Sequence, residues 1–468
     1  MPEKFGPLDI YALLPKTNCG KCAEKSCMAF ATRLIERSVT AEQCPPMLEE
    51  KHKKSMEKLR DLLRPPIKEM TVGTGERVAK IGGKLVMYRH ELTYQNPTAI
   101  AVDVTDEMPD DELLKRVKAI ESYSFTRIGE DLRLDMIAVR STSSDPAKFG
   151  KTVRIIVENS KMPLILCSFE PNVLEAGLVE AKGRRPLIYA AKKDNWKEVA
   201  DLALMYSCPV AVFAPNDLQL LQSIASTMMR YGVEDLVLDP GTSVETGLMD
   251  TLDNFTMARQ AAFVKGDRAL GFPIVGVPLA VWSKKEDPPE ITAWSEACLA
   301  SMLLTRYADV LIIHALEPWT LLPIITLRQN IYTDPRKPTA VEAGLKTYGQ
   351  VDENSPVLMT SNFSLTFYTV ANDIESNKIN CYLIVVDTEG LSIQSAVAGR
   401  KLTAEKVAEA IKKTGIEGKV KHKKIVIPQF AARLRGDLED MSGWEVLVGP
   451  QDSSGIPQFL QQYWQKKA

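Results

Sequence analysis

Four cysteines near the start of the chain, Cys19, Cys22, Cys27 and Cys44, carry the most chemistry per residue. They are spaced C-x2-C-x4-C-x16-C, with Gly20 and Lys21 between the first two and Pro45-Pro46 directly after the last. Four thiolates are the ligand set of a 4Fe–4S cluster, and three of them on one tight loop can wrap a face of it. Structural zinc also takes four cysteines, but its sites come as two tight pairs, and here only Cys19 and Cys22 form one. Disulfides fit poorly, because the rest of the chain reads as a large intracellular protein. The spacing favours an iron–sulfur cluster, with zinc as the competing ion.

A 468-residue chain can bury large cores and hold several domains. A formal net charge of −2 gives no basic field for nucleic acid or anionic lipid, so neither is expected as a partner. Lysine runs at 49–54 and 419–424 read as solvated faces. No apolar run reaches membrane-span length and no signal core opens the sequence, so the expected location is cytoplasmic. Cys167, Cys208, Cys298 and Cys381 stand singly in apolar segments and read as small buried hydrophobes.

The elements that must position the cysteines form a small module over residues 1–60, with a helix expected over Met28–Ser38. So short a segment needs a staple besides its core. Residues 61–98 read as a linker with short β-hairpins around 73–75 and 82–83. From 99 to 330, eight apolar runs alternate with amphipathic stretches: Ala99–Val104, Met136–Val139, Pro163–Phe169, Leu187–Ala191, Val210–Ala214, Leu236–Leu238, Pro273–Val277 and Val310–Ile313. That pattern predicts a (β/α)8 TIM barrel, with an open doubly wound sheet as the alternative.

After Asp334-Pro335-Arg336-Lys337-Pro338 a second α/β block begins, a doubly wound, Rossmann-like domain over 339–468. Its expected strands are Val357–Met359, Tyr382–Val386, Lys424–Ile427 and Glu445–Val448. Loops rich in small and hydroxyl residues follow three of them: Thr360-Ser361-Asn362, 387–392 in D-T-E-G-L-S, and Gly449-Pro450. Each alone is an ordinary turn or cap. Three on one sheet edge point to a ligand site, with the ligand unnamed.

The head T-N-C-G-K-C-A-E-K-S-C-M-A-F-A, the later T-S-N-F-S-L-T-F-Y, the D-T-E-G-L-S turn and the tail W-E-V-L-V-G-P together resemble one family. It is the large subunit of the corrinoid iron–sulfur protein, the gamma subunit of the acetyl-CoA decarbonylase/synthase complex. The resemblance runs over essentially the whole chain. It implies a methyl carrier: a cobamide on the C-terminal domain accepts a methyl group at Co(I) from a methyl-tetrahydropterin or folate. The methyl then passes to the nickel–iron–sulfur site of the acetyl-CoA synthase (decarbonylase) subunit. The cluster on Cys19, Cys22, Cys27 and Cys44 returns oxidised Co(II) to Co(I). The implied corrinoid contacts are Thr360, Asn362, Thr366, Gly390, Leu391, Ser392, Ile393 and Gly449. The implied partners are the small (delta) subunit of a heterodimer and the synthase subunit.

The chain has His52, His90, His314 and His422, and none lies in a D-x-H-x-x-G motif, so a base-off corrinoid without a protein histidine ligand is expected. At the barrel strand ends, Asp103, Asp106, Arg140, Glu170, Asn172, Asn216, Asp239 and His314 are the candidates for chemistry. Capping accounts for Asn216 and Asp217, and the barrel is expected to be scaffold. Two other readings stay open. One is a pterin-dependent methyltransferase that uses its own barrel; the other is an iron–sulfur redox activator of another corrinoid protein.

Overall fold

The computed structural model describes residues 6–36, 38–283 and 287–464. The chain divides into two compact units, Met1–Ser124 with Leu132–Tyr332, and Phe125–Asp131 with Thr333–Ala468. Among the described residues no helix is long and apolar enough to cross a membrane.

In the first unit, α1 (Pro7–Leu13), α2 (Cys27–Ile35) and α3 (Lys53–Leu62) pack around Ile10, Phe30, Leu34, Met47 and Leu59. Helix α2 starts one residue earlier than the sequence predicts, because Ser26 accepts a hydrogen bond from the Ala29 N–H (3.1 Å) and so caps it, and it ends sooner, at Ile35.

Strands β1 (Met70–Val72) and β2 (Ala79–Ile81) form an antiparallel hairpin. The segment expected as a linker lies across the N-terminal ends of the barrel strands. Lys68 N–H donates to the Gly271 carbonyl (2.8 Å), Gly73 N–H to the Arg185 carbonyl (2.9 Å), and the Lys84 ammonium meets Asp309 at 2.8 Å. Gly82, at φ +76°, passes so close to the Lys68 carbonyl that a Cβ would sit 2.2 Å from it.

The barrel begins with β3 (Ala99–Thr105) and α4 (Asp110–Ser122), followed by a hairpin of β4 (Ser124–Arg127) and β5 (Glu130–Arg133). Then come β6 (Met136–Arg140), α5 (Pro146–Asn159), β7 (Leu164–Cys167), α6 (Pro171–Glu180), β8 (Leu187–Ala191), α7 (Trp196–Tyr206), β9 (Val210–Phe213) and α8 (Leu218–Tyr231). It ends with β10 (Leu236–Asp239), α9 (Leu248–Val264), β11 (Val275–Gly276), α10 (Pro289–Thr305), β12 (Val310–Ile313) and α11 (Pro318–Ile331). The parallel strands run β10-β9-β8-β7-β6-β3-β12-β11, and a bridge between Leu238 and Ile274 nearly closes the ring. All eight runs read from the sequence are strands here. They are apolar on both faces because side chains fill the barrel inside and helices cover it outside.

The second unit holds a five-stranded sheet in the order β13-β15-β14-β16-β17, from β13 (Gly344–Tyr348), β14 (Val357–Ser361), β15 (Cys381–Val386), β16 (Lys424–Ile427) and β17 (Glu445–Val448). Four strands are parallel; β13, absent from the sequence reading, pairs antiparallel to β15 at the edge. The helices are α12 (Ser364–Ser376), α13 (Ile393–Ala398), α14 (Ala404–Thr414), α15 (Arg435–Ser442) and α16 (Ile456–Tyr463). Alternation along the strands divides the core. Val357, Met359, Ile384 and Ile425 face α13, α14 and α15, while Leu358, Leu383, Val385 and Val426 face α12 and α16.

Candidate functional site

The cysteine loop turns on left-handed residues, Asn18 (φ +48°), Gly20 (φ +70°) and Ala23 (φ +63°). Asn18 Oδ1 accepts from the Cys27 N–H at 2.8 Å, tying the loop's start to the head of α2. Cys27 and Cys44 are buried, Cys22 is half-buried and Cys19 is exposed. Burial, together with the nearby thiols of Cys22, Cys27 and Cys19, pushes the Cys44 thiol up. The Lys21 N–H and the Thr17 hydroxyl hold Cys19 low. The four sulfurs thus share one locality, graded from core to solvent. Among the described residues no three His, Cys, Asp or Glu side chains stand at the spacing of a single metal ion. A cubane needs no such spacing, because each of its irons takes its own cysteine. The donor set fits a cluster.

In the second unit, β15 lies to one side of β14 and β16 to the other, which makes a crevice at the carboxyl ends of β14 and β16. In open α/β sheets that reversal is where ligands bind. A cavity of about 390 Å³ sits there, and its walls include Thr360, Thr366, Ser392, Ile393 and Gly449. Five of the eight corrinoid contacts named from the sequence therefore meet on one wall set. Leu365, Thr369, Phe430, Gln451 and Asp452, which sequence reading missed, share it. Only the helical spacing of Leu365, Thr366 and Thr369 signalled the α12 contribution. The Thr360 hydroxyl is buried and bonds no protein group, a donor left for a ligand. None of the four histidines lines the cavity. His422 is half-buried and bonded to the Ser355 carbonyl (2.9 Å).

Asn362, Gly390 and Leu391 stand behind that wall. Asn362 Oδ1 accepts from Thr388 N–H (3.0 Å), Thr388 Oγ1 (2.9 Å) and Gly390 N–H (3.0 Å), and its amide donates to Asp387 (3.0 Å). Gly390 sits at φ +74° with Pro338 filling the space a Cβ would need. The Leu391 carbonyl stands 2.7 Å from the Thr388 hydroxyl and shares its one proton with Asn362 Oδ1. These three shape the loop that presents Ser392 and Ile393. At Gly449 a Cβ would press on Val426 at 2.9 Å, so packing demands that glycine as well.

The barrel mouth is more organised than a bare scaffold requires. Asp103, fully buried, bonds His314 Nδ1 (2.6 Å), Arg140 (2.7 Å) and Arg116 (3.2 Å). Burial acts to raise its pKa, but His314 and the two arginines prevail and hold it low. Glu296 accepts the backbone N–H groups of His314 (2.7 Å) and Ala315 (2.8 Å). Asp106 gathers Ser141, Thr142 and Ser143 into a turn. Asp239 takes the Tyr189 hydroxyl (2.6 Å) and Gly241 N–H (2.8 Å), and burial lifts its pKa to about 6. Asn216 bonds Asn254 (3.1 Å), while Asp217 caps α8 through Leu220 N–H (2.9 Å). Glu170 and Asn172 stand at the head of α6, outside that network.

The fold and site define a class: an α/β-barrel protein with an iron–sulfur-type module before the barrel in the chain and an open-sheet, cavity-bearing domain after it. Residues 69–460 match the family described as CO dehydrogenase/acetyl-CoA synthase delta subunit, and residues 14–46 match an Fe-S cluster family, which supports an iron–sulfur cofactor in the module. The chain is 47% identical to the acetyl-CoA decarbonylase/synthase complex subunit gamma 2 of Methanosarcina thermophila, over 98% of this chain and 99% of that one. It is 46% identical to the complex's subunit gamma from Methanothermobacter thermautotrophicus, over 97% and 98%. Dihydropteroate synthase of Thermus thermophilus aligns over 56% of this chain and 100% of its own, at 15% identity and a TM-score of 0.39, too low to carry functional weight. The chain belongs to the family of acetyl-CoA decarbonylase/synthase gamma subunits. The delta label covers the barrel and C-terminal domain, whereas the full-length relatives, cysteine module included, are gamma subunits.

Proposed function

We propose that this chain is the corrinoid- and cluster-bearing methyl carrier of an acetyl-CoA decarbonylase/synthase complex, paired with a delta subunit and serving a synthase subunit. A methyl-tetrahydropterin is the donor. The observation that carries this reading is the cavity at the sheet's reversal point, with an unpartnered Thr360 hydroxyl, in a chain whose full-length relatives are gamma subunits. When bound, a corrinoid supplies a cobalt that takes and gives a methyl group, and a cluster supplies single low-potential electrons.

The chain's own residues do the holding. Thr360 and Thr366 offer hydroxyls to a corrinoid's amide-rich edge, and Ile393 and Phe430 offer apolar contact. Asn362 keeps the Ser392 loop in place. Cys19, Cys22, Cys27 and Cys44 would hold the cluster, with Cys19 on its exposed side. No histidine lines the cavity wall, so a corrinoid bound there would meet no protein imidazole from it.

The test is reconstitution. The full chain, expressed in a host without corrinoids, should take up one equivalent of cobamide with the visible spectrum of the base-off form. A base-on spectrum, or no uptake, contradicts the reading. A second reading draws on the Asp103–His314 network and the Tyr189–Asp239 pair, with the barrel itself binding methylpterin. It requires methylpterin binding by this chain alone that Asp239→Asn abolishes.

A further inference from the structure

The charged half of the barrel mouth holds more cation than its carboxylate needs. Asp103, fully buried on β3, takes Arg140 Nε and Nη2 on its Oδ2, both at 2.7 Å, and Arg116 Nη2 on its Oδ1 at 3.2 Å. One arginine would neutralise it. Asp106, three residues on, is turned onto Ser141, Thr142 and Ser143 and pairs with neither arginine among the described residues. Glu296 is engaged by the backbone N–H groups of His314 and Ala315. One guanidinium is thus left without a paired counterion, and two cations held this close repel, so the mouth gains by taking up an anion.

Arg140 has the geometry for a carboxylate. With Nε and Nη2 spent on Asp103, its Nη1 meets no acceptor among the described residues, and its side chain keeps 32% of its surface exposed. The Nη1–Nη2 edge of a guanidinium pairs a planar carboxylate through two parallel bonds. His314, 30% exposed, spends Nδ1 on the same Asp103 (2.6 Å) and leaves Nε2 without a protein partner.

Next to the cations the mouth turns aromatic. Arg140 stands in register with Cys167 on β7, and Cys167 with Tyr189 on β8. Neighbouring strands lie about 4.8 Å apart, so Arg140 and Tyr189 are on the order of 10 Å apart with only a small thiol between them. Tyr189, Phe169 and Phe213 pack ring against ring, their centroids 5.4–6.4 Å apart. A single ring with a carboxyl group spans that interval.

We propose that the barrel mouth binds a planar aromatic ring bearing one carboxylate, with the acid on Arg140 and the ring against Tyr189 and Phe213. A neutral ring gains nothing from the unpaired guanidinium, and a ring-less acid gains nothing from the aromatic wall. The corrinoid and the cluster play no part in this site.

Calorimetry on the full-length protein with benzoate, benzamide and acetate tests it. Benzoate should bind, with neutral benzamide and ring-less acetate each about tenfold weaker, the worth of a charge-assisted hydrogen bond and of an aromatic contact. Arg140→Lys keeps the charge but loses the fork, and should weaken benzoate about tenfold. Phe213→Leu should erase most of benzoate's advantage over acetate. Arg154→Gln, on the outer face of α5 where Arg154 pairs with Glu180, should change nothing. Melting curves report the fold of each variant; should Arg140→Lys melt early, Phe213→Leu leaves the ion network whole and reads the same site. No benzoate binding by the wild type, equal affinity for benzoate and either analogue, or benzoate binding that Arg140→Lys and Phe213→Leu both leave unchanged would overturn the proposal. Each of those results leaves the methyl-carrier reading standing.

Discussion

Asn362 holds Thr388 at two points, its side-chain oxygen accepting the backbone N–H at 3.0 Å and the hydroxyl at 2.9 Å. A third bond from the Gly390 N–H makes this one amide the anchor of the 387–392 loop. Replacing Asn362 by Ala strands two buried N–H groups, at a cost of roughly 2–4 kcal/mol. The loop then no longer presents Ser392 and Ile393. The account predicts lower stability and weaker corrinoid uptake together, read by denaturation and by spectral titration. Full uptake by a destabilised variant would show that the loop is not part of the binding wall.

At the N-terminal end of the barrel strands, Asp309 is shared by two buried cations. Lys84 reaches it at 2.8 Å, and Arg259 bonds it as well. Burial alone would raise the Asp309 pKa, but the two cations hold it low. Asp309→Asn leaves both cations uncompensated and should cost about 3–5 kcal/mol in urea denaturation. Lys84→Met keeps the Arg259–Asp309 pair and should cost clearly less. Equal costs would mean that Asp309 does not hold the pair together.

Asp239 sets a pH dependence. Its folded pKa, about 6, exceeds its ordinary value of 3.8 because burial outweighs the Tyr189 and Gly241 hydrogen bonds. The fold therefore favours the protonated acid, and that contribution is complete below about pH 4 and lost as pH rises through 6. The loss is of the order of 3 kcal/mol. Tyr189→Phe removes a bond that stabilises the carboxylate, so the titration should move above 6 in a stability-versus-pH series. A downward movement would reverse the assigned cause.

The cysteine module should be separable from methyl transfer. Cys22→Ala removes one cluster ligand and should block reductive reactivation while sparing methyl transfer by pre-reduced protein. Equal loss of both activities contradicts a relay role.

What the sequence made legible followed from strong local signals. Thiol spacing marked Cys19, Cys22, Cys27 and Cys44, and eight both-face-apolar runs marked the barrel. Edge strand β13, G-L-K-T-Y, is half-polar because one edge and part of its surface meet water, so no alternation announced it. Lys84 lies beside two glycines and reads as a turn residue; only the tertiary fold makes it a buried ion partner of Asp309. Cys298, expected inside, is exposed, since α10 is apolar nearly all round and its sequence does not mark which face is inward; Cys167, Cys208 and Cys381 are buried as expected. The convergence of Asp103, Arg140 and His314, from three separate strand ends, was equally invisible. Each looked like an isolated strand-end residue until the barrel closed.

Metal content of the anaerobically purified native complex tests the central claim most directly. The account predicts about four irons and one cobalt per copy of this chain, with the cobalt lost on removal of the corrinoid and the iron lost on disruption of the cysteine loop. Iron without cobalt would contradict the methyl-carrier reading and leave a redox module in its place.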